Sequence, residues 1–332
     1  MDNNKINLTD MNGASLGINR VFVRDANEFA SVASNFSDIW LVNDIDVGSM
    51  IWPDMPYGKT IELNGYSLSY SQSLTVGAHG LVTFHNGTLN FTNDFGYGLR
   101  LSSGADLCLD NVQYNSNDCG IVVIDDGQSR SEVEIVNGSV INAKEHGILT
   151  SQIGDNGGNV TSNVRIHVAD STISTKDSNN GDNSAIVFNV KGSVNIENST
   201  IIADRQAVVL RSGEGHVVRN STLRVTGNNE VSKEYLDEYW GGGNEVPLAA
   251  LVIGNRSKEG YRYPTSVTLE NAKLSVPMKN NAEKDYFAMY VYQSERMTLN
   301  TVKAEGTVRY VGEGSKVNSN MNGATFNIEE LM

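Results

Sequence analysis

The amino-acid sequence predicts an all-β protein, a right-handed parallel β-helix in which three short strands per coil stack into three sheets. Three patterns lead to this prediction: an Asn or Asp that recurs at one phase, a small residue that opens an apolar run, and a third strand that alternates. Each pattern returns about once per coil. A fixed repeat of about 20 to 50 residues is typical of solenoid proteins.

The first pattern is an Asn or Asp followed three positions later by an apolar residue. Its members are Asn86, Asn111, Asn137, Asp170, Asn198, Asn220 and Asn271. Successive members are 22 to 33 residues apart, except for a last step of 51 residues. Asn tolerates left-handed backbone angles and can hydrogen-bond along a stack of coils. We therefore expect each of these residues to form a corner and to bond to its counterpart in the next coil.

The second pattern is a column of small residues, each followed by an apolar run. Its members are Gly98, Gly120, Gly147, Ala185, Ala207, Ala250 and Ala288. After a polar turn comes the third strand, with strict alternation at 107–109, 133–135, 164–168, 194–196 and 267–269. Alternation of this kind indicates one buried face. An antiparallel sandwich would also contain short strands, but it predicts no residue at a fixed phase.

The domain organisation follows from these repeats. Residues 1–18 are polar and without period, which predicts a loose tail, and residues 19–332 are expected to form a single domain. The 51-residue step predicts a long loop insertion at about residues 227–247. Asp25 and Glu28 have the spacing of a helix N-terminal cap, and Phe29, Val32 and Ala33 would share one helical face. We expect this helix to cap the open end of the solenoid.

Composition excludes several classes of partner. A net charge of −14 argues against nucleic acid, because phosphate binding depends on clustered Lys and Arg. No apolar run reaches the length that crosses a bilayer, so we expect no membrane insertion. Cys108 and Cys119 fall on different strands of one coil, which predicts two buried free thiols.

With these repeats, the chain resembles the pectate-lyase-like β-helix superfamily over about residues 20–325. That superfamily contains pectate lyases, polygalacturonases, phage tailspikes and many bacterial surface adhesins. The resemblance implies the fold, but it leaves the activity open because enzymes and non-enzymes share the architecture. A tailspike-type or adhesin-type member is the version we expect.

The polygalacturonase motifs match this chain in part. Asp125 and Asp126 resemble the paired aspartates, and His146, before Gly147, resembles the following histidine. These three residues would supply acid and base chemistry on a sugar chain. No Asn-Thr-Asp precedes the pair at the expected distance. Where the family has Arg-Ile-Lys, the chain has a segment that ends in His167.

A plainer interpretation of the trio is that both aspartates form a turn and that His146 is one member of a variable column. Our first expectation is therefore no catalytic residue, with the trio as the alternative.

The calcium site of pectate lyases has no match. With the small residues pointing inward, the outward positions of the same strands carry no carboxylate, and calcium needs several oxygen ligands. We therefore expect no metal and no cofactor, and calcium stays an alternative that no residue of this face supports. The outward positions instead form an apolar stripe through Val122, Leu149, Val187 and Val209. Either the predicted insertion or a second subunit, as in a homotrimeric spike, would cover this stripe.

Aromatic residues in the C-terminal third form the candidate ligand site. They are Tyr239, Trp240, Tyr261, Tyr263, Tyr290 and Tyr292. Aromatic faces beside polar groups are what a sugar-binding site needs, although tyrosines in strands are often packing residues.

The function that this sequence predicts is a non-catalytic surface or appendage module that binds glycans or host-surface molecules. A polysaccharide hydrolase or lyase is the alternative, and a structural spike or spacer is the second alternative. The expected location is extracellular, on a cell or virion surface, with the export signal or anchor outside this sequence.

Overall fold

The fold is a parallel β-helix, as the repeats predict. The computed structural model describes residues 5–9, 15–51, 58–152, 161–176, 183–227, 248–254, 265–277, 286–292, 299–305, 309–311, 316–320 and 325–327. Within these ranges there are thirty strands and one short helix, and each coil contributes strands to three faces, called face 1, face 2 and face 3 in chain order.

Face 1 contains the strands that precede each asparagine corner. They are β2 (Ser15–Val23), β3 (Asp38–Leu41), β5 (Lys59–Glu62), the first half of β8 (Leu81–Phe91) and of β10 (Asp106–Ser116), β12 (Arg130–Val136), β15 (Asn163–Ala169), β18 (Gly192–Glu197), β21 (Gly213–Arg219), β24 (Thr265–Glu270), β27 (Leu299–Glu305) and β30 (Thr325–Asn327). Each pairs in parallel with its equivalent in the next coil.

Face 2 contains the strands that follow the corner. They are β4 (Ile45–Asp46), β6 (Ser67–Tyr70), the second halves of β8 and β10, β13 (Val140–Ala143), β16 (Thr172–Thr175), β19 (Thr200–Ala203), β22 (Thr222–Val225), β25 (Lys273–Ser275) and β28 (Arg309–Val311). Because β8 and β10 run through the corner, faces 1 and 2 form one continuous hydrogen-bonded sheet of 21 strands, which includes the terminal strand β1 (Lys5–Thr9).

Face 3 is a separate parallel sheet of nine strands. They are β7 (Leu74–Val76), β9 (Tyr97–Leu101), β11 (Cys119–Asp125), β14 (His146–Gln152), β17 (Ser184–Phe188), β20 (Gln206–Leu210), β23 (Leu248–Gly254), β26 (Tyr286–Tyr292) and β29 (Lys316–Asn320). Equivalent positions in successive coils lie side by side, and we call such a set a column.

The predicted corners are confirmed by the backbone. All seven predicted corner residues have φ between 49° and 57°, and Asn64, which the pattern did not include, has φ of 53°. This left-handed conformation is one that Asn and Asp adopt more readily than other side-chain-bearing residues. The recurring Asn therefore reports the same bend in every coil.

The predicted asparagine ladder forms only in places among the described residues. The Nδ2 of Asn111 donates to Oδ1 of Asn86 at 2.9 Å, and Asn220 donates to Asn198 at 3.3 Å. Between them, Asn137 donates instead to Oδ1 of Asp110 at 2.8 Å. The side chains at the corners thus join neighbouring coils through mixed partners.

A more regular ladder runs through the buried serine just after the corner. Ser171 N–H donates to Oγ of Ser199 at 3.1 Å, and Ser199 N–H donates to Oγ of Ser221 at 3.0 Å. The same kind of bond occurs earlier in the chain, where Val112 N–H donates to Oγ of Ser139 at 3.0 Å. These hydroxyls satisfy buried backbone donors that the left-handed corner leaves without a strand partner.

The small-residue column points inward and packs tightly. The alanines of the column belong to the main core. At Gly98 an added Cβ would lie 1.9 Å from the hydroxyl of Tyr114, and at Gly120 it would lie 2.6 Å from the carbonyl oxygen of Gly147. The Tyr114 hydroxyl donates to the carbonyl of Gly120 at 2.9 Å and lies 3.4 Å from that of Tyr70. Gly98 therefore makes room for the buried Tyr114 hydroxyl, and Gly120 allows the close approach of the next coil.

The N-terminal capping helix is confirmed. Helix α1 covers Ala26–Val32, and Oδ1 of Asp25 accepts the N–H groups of Asn27 and Glu28, both at 2.9 Å. The Glu28 carboxylate accepts the N–H of Arg24, one residue before the cap. Phe29 and Ala33 are fully buried in the core, as the helical face predicted, and Val32 packs against it.

The two remaining domain predictions have different outcomes. Within the predicted tail, β1 pairs antiparallel with β2, so this part has regular structure where we expected a loose chain. The division into tail and domain stays a prediction. The predicted insertion lies outside the described residues, except for residue 227.

No helix among the described residues has the length and apolarity needed to cross a bilayer.

The cysteine prediction holds in part. Both thiols are free, and Cys119 is buried on face 3. Cys108 is half-buried on the outer side of face 1, where burial and then the neighbouring Glu134 carboxylate raise its pKa to about 12. The expectation that both thiols are buried is therefore wrong for Cys108, because its position in β10 alternates outward.

Gly120→Ala should lower the free energy of unfolding by about 1 to 3 kcal/mol, because the new methyl group has no space beside the backbone of the next coil. Urea denaturation measures this difference. Gly58→Ala is the control, since a Cβ there meets nothing within 4 Å. Equal midpoints for the two variants would contradict the packing described here.

Ser199→Ala should cost about 1 to 3 kcal/mol of stability, because the buried N–H of Ser171 loses its acceptor. Ser174→Ala, at a half-buried outward position of face 2, is the matched control and should cost much less. Urea titration of both variants tests the ladder, and a loss for Ser174→Ala as large as that for Ser199→Ala would count against it.

Candidate functional site

The outer side of face 3 is apolar and covered. Val187, Val209, Ala249, Val252 and Tyr290 form a cluster separate from the main core, with Leu149 and Phe287 packed against it. The predicted apolar stripe therefore points outward as expected. Val122, Val187 and Val209 are buried within this chain, and Leu149 is half-buried. The predicted insertion, the other expected cover, lies outside the described residues.

Among the residues that the structure describes, polar groups on and beside the outer side of face 3 are bonded to each other and form no cluster of carboxylates. The guanidinium of Arg211 donates to Oδ1 of Asn189 at 3.1 Å. The amide of Asn189 in turn donates to the carbonyl of Thr150 at 3.1 Å. Calcium prefers several converging oxygens, and these positions have amide, hydroxyl and cationic groups. The outer side of face 3 is thus not shaped as an open calcium or sugar site.

Asp125 and Asp126 both bind the turn that follows β11. Asp125 is buried, and its carboxylate accepts the N–H of Gly127 at 3.0 Å and the hydroxyl of Ser162 at 2.9 Å. Burial raises the pKa of Asp125 despite these bonds. Slight burial also raises the pKa of Asp126. Hydrogen bonds from backbone N–H groups and from the Ser129 hydroxyl outweigh this effect, so the pKa of Asp126 is lowered overall. Each carboxylate is occupied by the turn itself.

His146 lies at the opposite end of face 3 from these aspartates. In the ladder it pairs with Ser184, and its Nδ1 lies 3.2 Å from the carbonyl oxygen of that residue. Asp125 pairs with Gln152, six residues further along the strand, which places it about 20 Å from His146 at the strand rise per residue. The structure therefore does not bring the alternative catalytic trio together.

The predicted aromatic ligand residues are described only in part. Four of them lie outside the described residues: Tyr239, Trp240, Tyr261 and Tyr263. For Tyr292 the structure describes only the backbone, which belongs to β26. Tyr290 is 7% exposed, and its ring meets that of Phe287 with centroids 5.2 Å apart. In this arrangement the Tyr290 ring packs within the covered cluster and presents no free face to a sugar.

A polar groove lies on the outer side of face 1. It has a volume of about 710 Å³ and crosses β12, β15, β18 and β21. Charged and ionisable side chains line it: Glu132, Arg165, His167, Lys191 and Glu214. Four adjacent coils contribute, so the groove runs along the axis for about 14 Å at the usual spacing between strands.

The ladder explains how the sequence builds this groove. Arg165 lies between Glu132 and Ser193 in one outward column, and His167 lies between Glu134 and Asn195 in the next. Toward the later coils small residues line the groove, namely Gly192, Ser193, Gly213 and Gly215. Long side chains on one side and small residues on the other leave a concave surface. This is the shape expected of a binding site.

Several polar groups in the groove are without partners. Arg165 is exposed and has no hydrogen bond or ion pair with any residue that the structure describes. Nε2 of His167 and Oδ1 of Asn195 are shielded from solvent and also lack a partner within the described ranges. Arg165 can therefore donate to a bound molecule, whereas the two shielded atoms can do so only if neighbouring side chains move aside.

This groove was not predicted from the sequence, although two of its residues belong to a segment that the sequence analysis considered. The segment 164–167 was compared with the Arg-Ile-Lys of polygalacturonases and set aside because His167 replaces the lysine. The available signal was that Arg165 and His167 are two residues apart in an alternating strand, and thus share its outer side.

A second cluster of potential ligand atoms lies at the edge between faces 2 and 3. Oxygens of Asp118 and Glu145 and the sulfur of Cys119 lie within 4.8 Å of one another. The thiol donates to Oε2 of Glu145 at 3.2 Å, and burial, followed by the Glu145 charge, raises the pKa of Cys119 far above its usual range. Acidic groups close to one another are common without a metal ion, and we assign none to this cluster.

Comparison with known proteins identifies no family. No protein-family model matches the chain, and no curated protein matches it. A structure with similar topology is the A-module of mannuronan C-5 epimerase AlgE6 from Azotobacter vinelandii, which aligns over 93% of this chain and 100% of that chain at 9% sequence identity and a TM-score of 0.30. Similarity at this level supports no conclusion about binding or activity.

The turn that forms the C-terminal end of the groove is fixed by His216. This residue is buried, and its ring packs edge-on against Phe188 with centroids 5.2 Å apart. Nδ1 accepts the N–H of Val194 at 2.9 Å, so Nε2 carries the proton that is donated to the carbonyl of Ser212 at 2.9 Å. Burial lowers the pKa of His216 to about 4. The neutral ring thus holds residues 213–215 in place.

Acidification should destabilise the protein through His216. Above pH 6.5 both the folded and unfolded forms are neutral at this residue, whereas between pH 6.5 and about 4 the unfolded form binds a proton and the folded form does not. The loss reaches roughly 3 kcal/mol at pH 4. Urea titrations at several pH values should show that the stability difference between wild type and His216→Gln narrows as pH falls. A difference independent of pH would contradict this assignment.

Proposed function

We propose that this chain is a non-catalytic surface or appendage module that binds glycans, and that the groove on face 1 is its binding site. The observation that supports this proposal is the exposed Arg165, which has no partner among the described residues and lines the groove together with His167 and Asn195. Sugars offer hydroxyl groups that both donate and accept hydrogen bonds, and an Arg presents five N–H donors in a fixed plane. The mixed donors and acceptors suit such a ligand.

The length of the groove also suits an oligosaccharide. A linear glycan lying along the axis would meet a new set of side chains at each coil, from Glu132 on β12 to Glu214 on β21. Backbone ladders hold these positions at fixed spacing, so little conformational entropy is lost on binding. The rod would thus act as a rigid scaffold for a ligand of several rings.

The spacing of the carboxylates favours binding over hydrolysis. Glycoside hydrolases place two carboxyl groups across the bond that is cleaved, about 5 to 10 Å apart. The two carboxylates lining this groove, Glu132 and Glu214, lie on strands three coils apart, which is about 14 Å. A glycoside hydrolase, one form of the enzymatic alternative, would need a different arrangement of carboxylates.

The biological setting remains part of the proposal. An extracellular place on a cell or virion surface fits a glycan-binding rod. A homotrimeric spike or spacer, the second alternative, would use the same rod without a ligand. The strongly acidic composition continues to argue against nucleic acid as a partner.

A glycan array followed by calorimetry tests the binding site. Arg165→Gln should weaken binding of an array hit by about tenfold to a hundredfold, because one charge-assisted hydrogen bond is lost. Arg224→Gln removes the same charge from an exposed position on face 2 and should leave affinity unchanged.

Two results would overturn the proposal. One is an array without saturable binding, and the other is equal affinity for the two arginine variants. Incubation of the protein with polysaccharides, read for reducing ends and for unsaturated uronate, covers the enzymatic alternative. Turnover that is lost in Glu132→Gln would show a hydrolase or lyase in place of a binding module.

A further inference from the structure

Two aromatic side chains stand exposed at the edge where face 3 begins. Phe95 is 83% exposed, and Tyr97 is 38% exposed. Phe95 lies in the segment that joins β8 to β9, and Tyr97, on the other side of Gly96, is the first residue of β9. Single exposed apolar residues are ordinary, but two aromatic residues this close together form a local surface that water hydrates poorly.

This loop is longer than its equivalents in the next coils. Five residues, 92–96, separate β8 from β9, whereas two residues, 117–118, separate β10 from β11, and two more, 144–145, separate β13 from β14. The three extra residues carry Phe95 beyond the surface of the rod. No packing requirement of the coil explains this extension, because the shorter loops make the same turn.

The loop is held in place by hydrogen bonds to its neighbours. Phe95 N–H donates to Oδ1 of Asn93 at 3.2 Å, and Gly96 N–H donates to the Asp118 carboxylate at 2.6 Å. Gly96 has φ of 109°, which a residue with a side chain rarely adopts. The amide of Asn117 donates to the carbonyl of Thr92 at 3.1 Å. The exposed ring is therefore presented by a fixed backbone, which reduces the entropy cost of binding.

Charged groups surround the two rings and limit what they can bind. The nearby acidic groups are Asp94, Asp118 and Glu145, and Lys144 is ion-paired with Asp94 at 3.4 Å. An anionic ligand would meet an excess of carboxylates. A stable protein partner needs about 800 Å² with an apolar centre, which two separate rings among charges do not supply.

We propose that Phe95 and Tyr97 form a second glycan contact, which stacks against the apolar face of a neutral pyranose ring while the surrounding amide and carboxylate groups bind its hydroxyls. A sugar ring has an apolar face and a polar rim, and this surface has the matching arrangement. The site lies on the edge before face 3, away from the groove on face 1, so the two can be tested separately.

Amide chemical shifts in the ¹⁵N-labelled protein test this proposal, with cellopentaose as the probe. Cellopentaose is neutral, and its equatorial hydroxyls leave both faces of each ring apolar. At millimolar concentration it should shift the amides of residues 95–97 and 117–118. Phe95→Ser should weaken this response about tenfold, whereas Phe95→Trp should keep it. Leu81→Ser, which removes another exposed apolar side chain, should have no effect.

The same spectra separate this site from the groove, which is read at the amides of Gly192 and Ser193. The second contact is overturned if cellopentaose changes the chemical shifts of the groove amides only, or of neither set of amides. It is also overturned if Phe95→Ser leaves the response of residues 95–97 unchanged. If residues 95–97 respond and the groove does not, the second contact stands, and the groove must be tested with other glycans.

Discussion

The hydrogen-bonded stacking of each coil on the next is the constraint on which the rest of this structure depends. Because equivalent strands pair in parallel and in register, each side chain lies beside its counterparts in the neighbouring coils. A shift of one residue would exchange the inner and outer sides of a strand. The left-handed corner at each Asn keeps the phase of the turn constant and so prevents this exchange.

Stacking also decides how polar groups are accommodated inside the rod. Ser199, Tyr114 and His216 are buried, and the side chain of each bonds to a backbone group outside its own strand. A buried polar atom without a partner costs free energy, so these bonds favour one register over its alternatives. The interior is thus specified by a few hydrogen bonds as well as by apolar packing.

Features that repeat or that are local could be predicted from the sequence. The asparagine corners, the inward small residues and the helix after Asp25 all follow from spacing within a few dozen residues. The serine ladder was hidden, because a Ser after an Asn looks like an ordinary polar turn until its burial is known.

The groove and the exposed aromatic loop could not be predicted in the same way. Arg165 and Ser193 are 28 residues apart in the chain, and they become neighbours only when the coils stack. An outward Arg in a strand looks like any solvated residue. Phe95 has no periodic counterpart, so pattern analysis had no reason to single it out. Both sites depend on differences between coils, whereas the repeats in the sequence show only the features that all coils share.

The change from glycine to alanine along the inward column has a consequence for how such a rod can grow in evolution. In the later coils, Ala185 and Ala207 occupy equivalent places with their methyl groups inside the core. A tandem duplication of one of these coils would meet compatible neighbours on both sides. An alanine in place of Gly98 would instead bring its methyl group into the space of the Tyr114 hydroxyl. A duplicated coil that carries the inward alanine therefore fits the later part of the rod, whereas the place of Gly98 beside Tyr114 accepts only a coil that carries glycine.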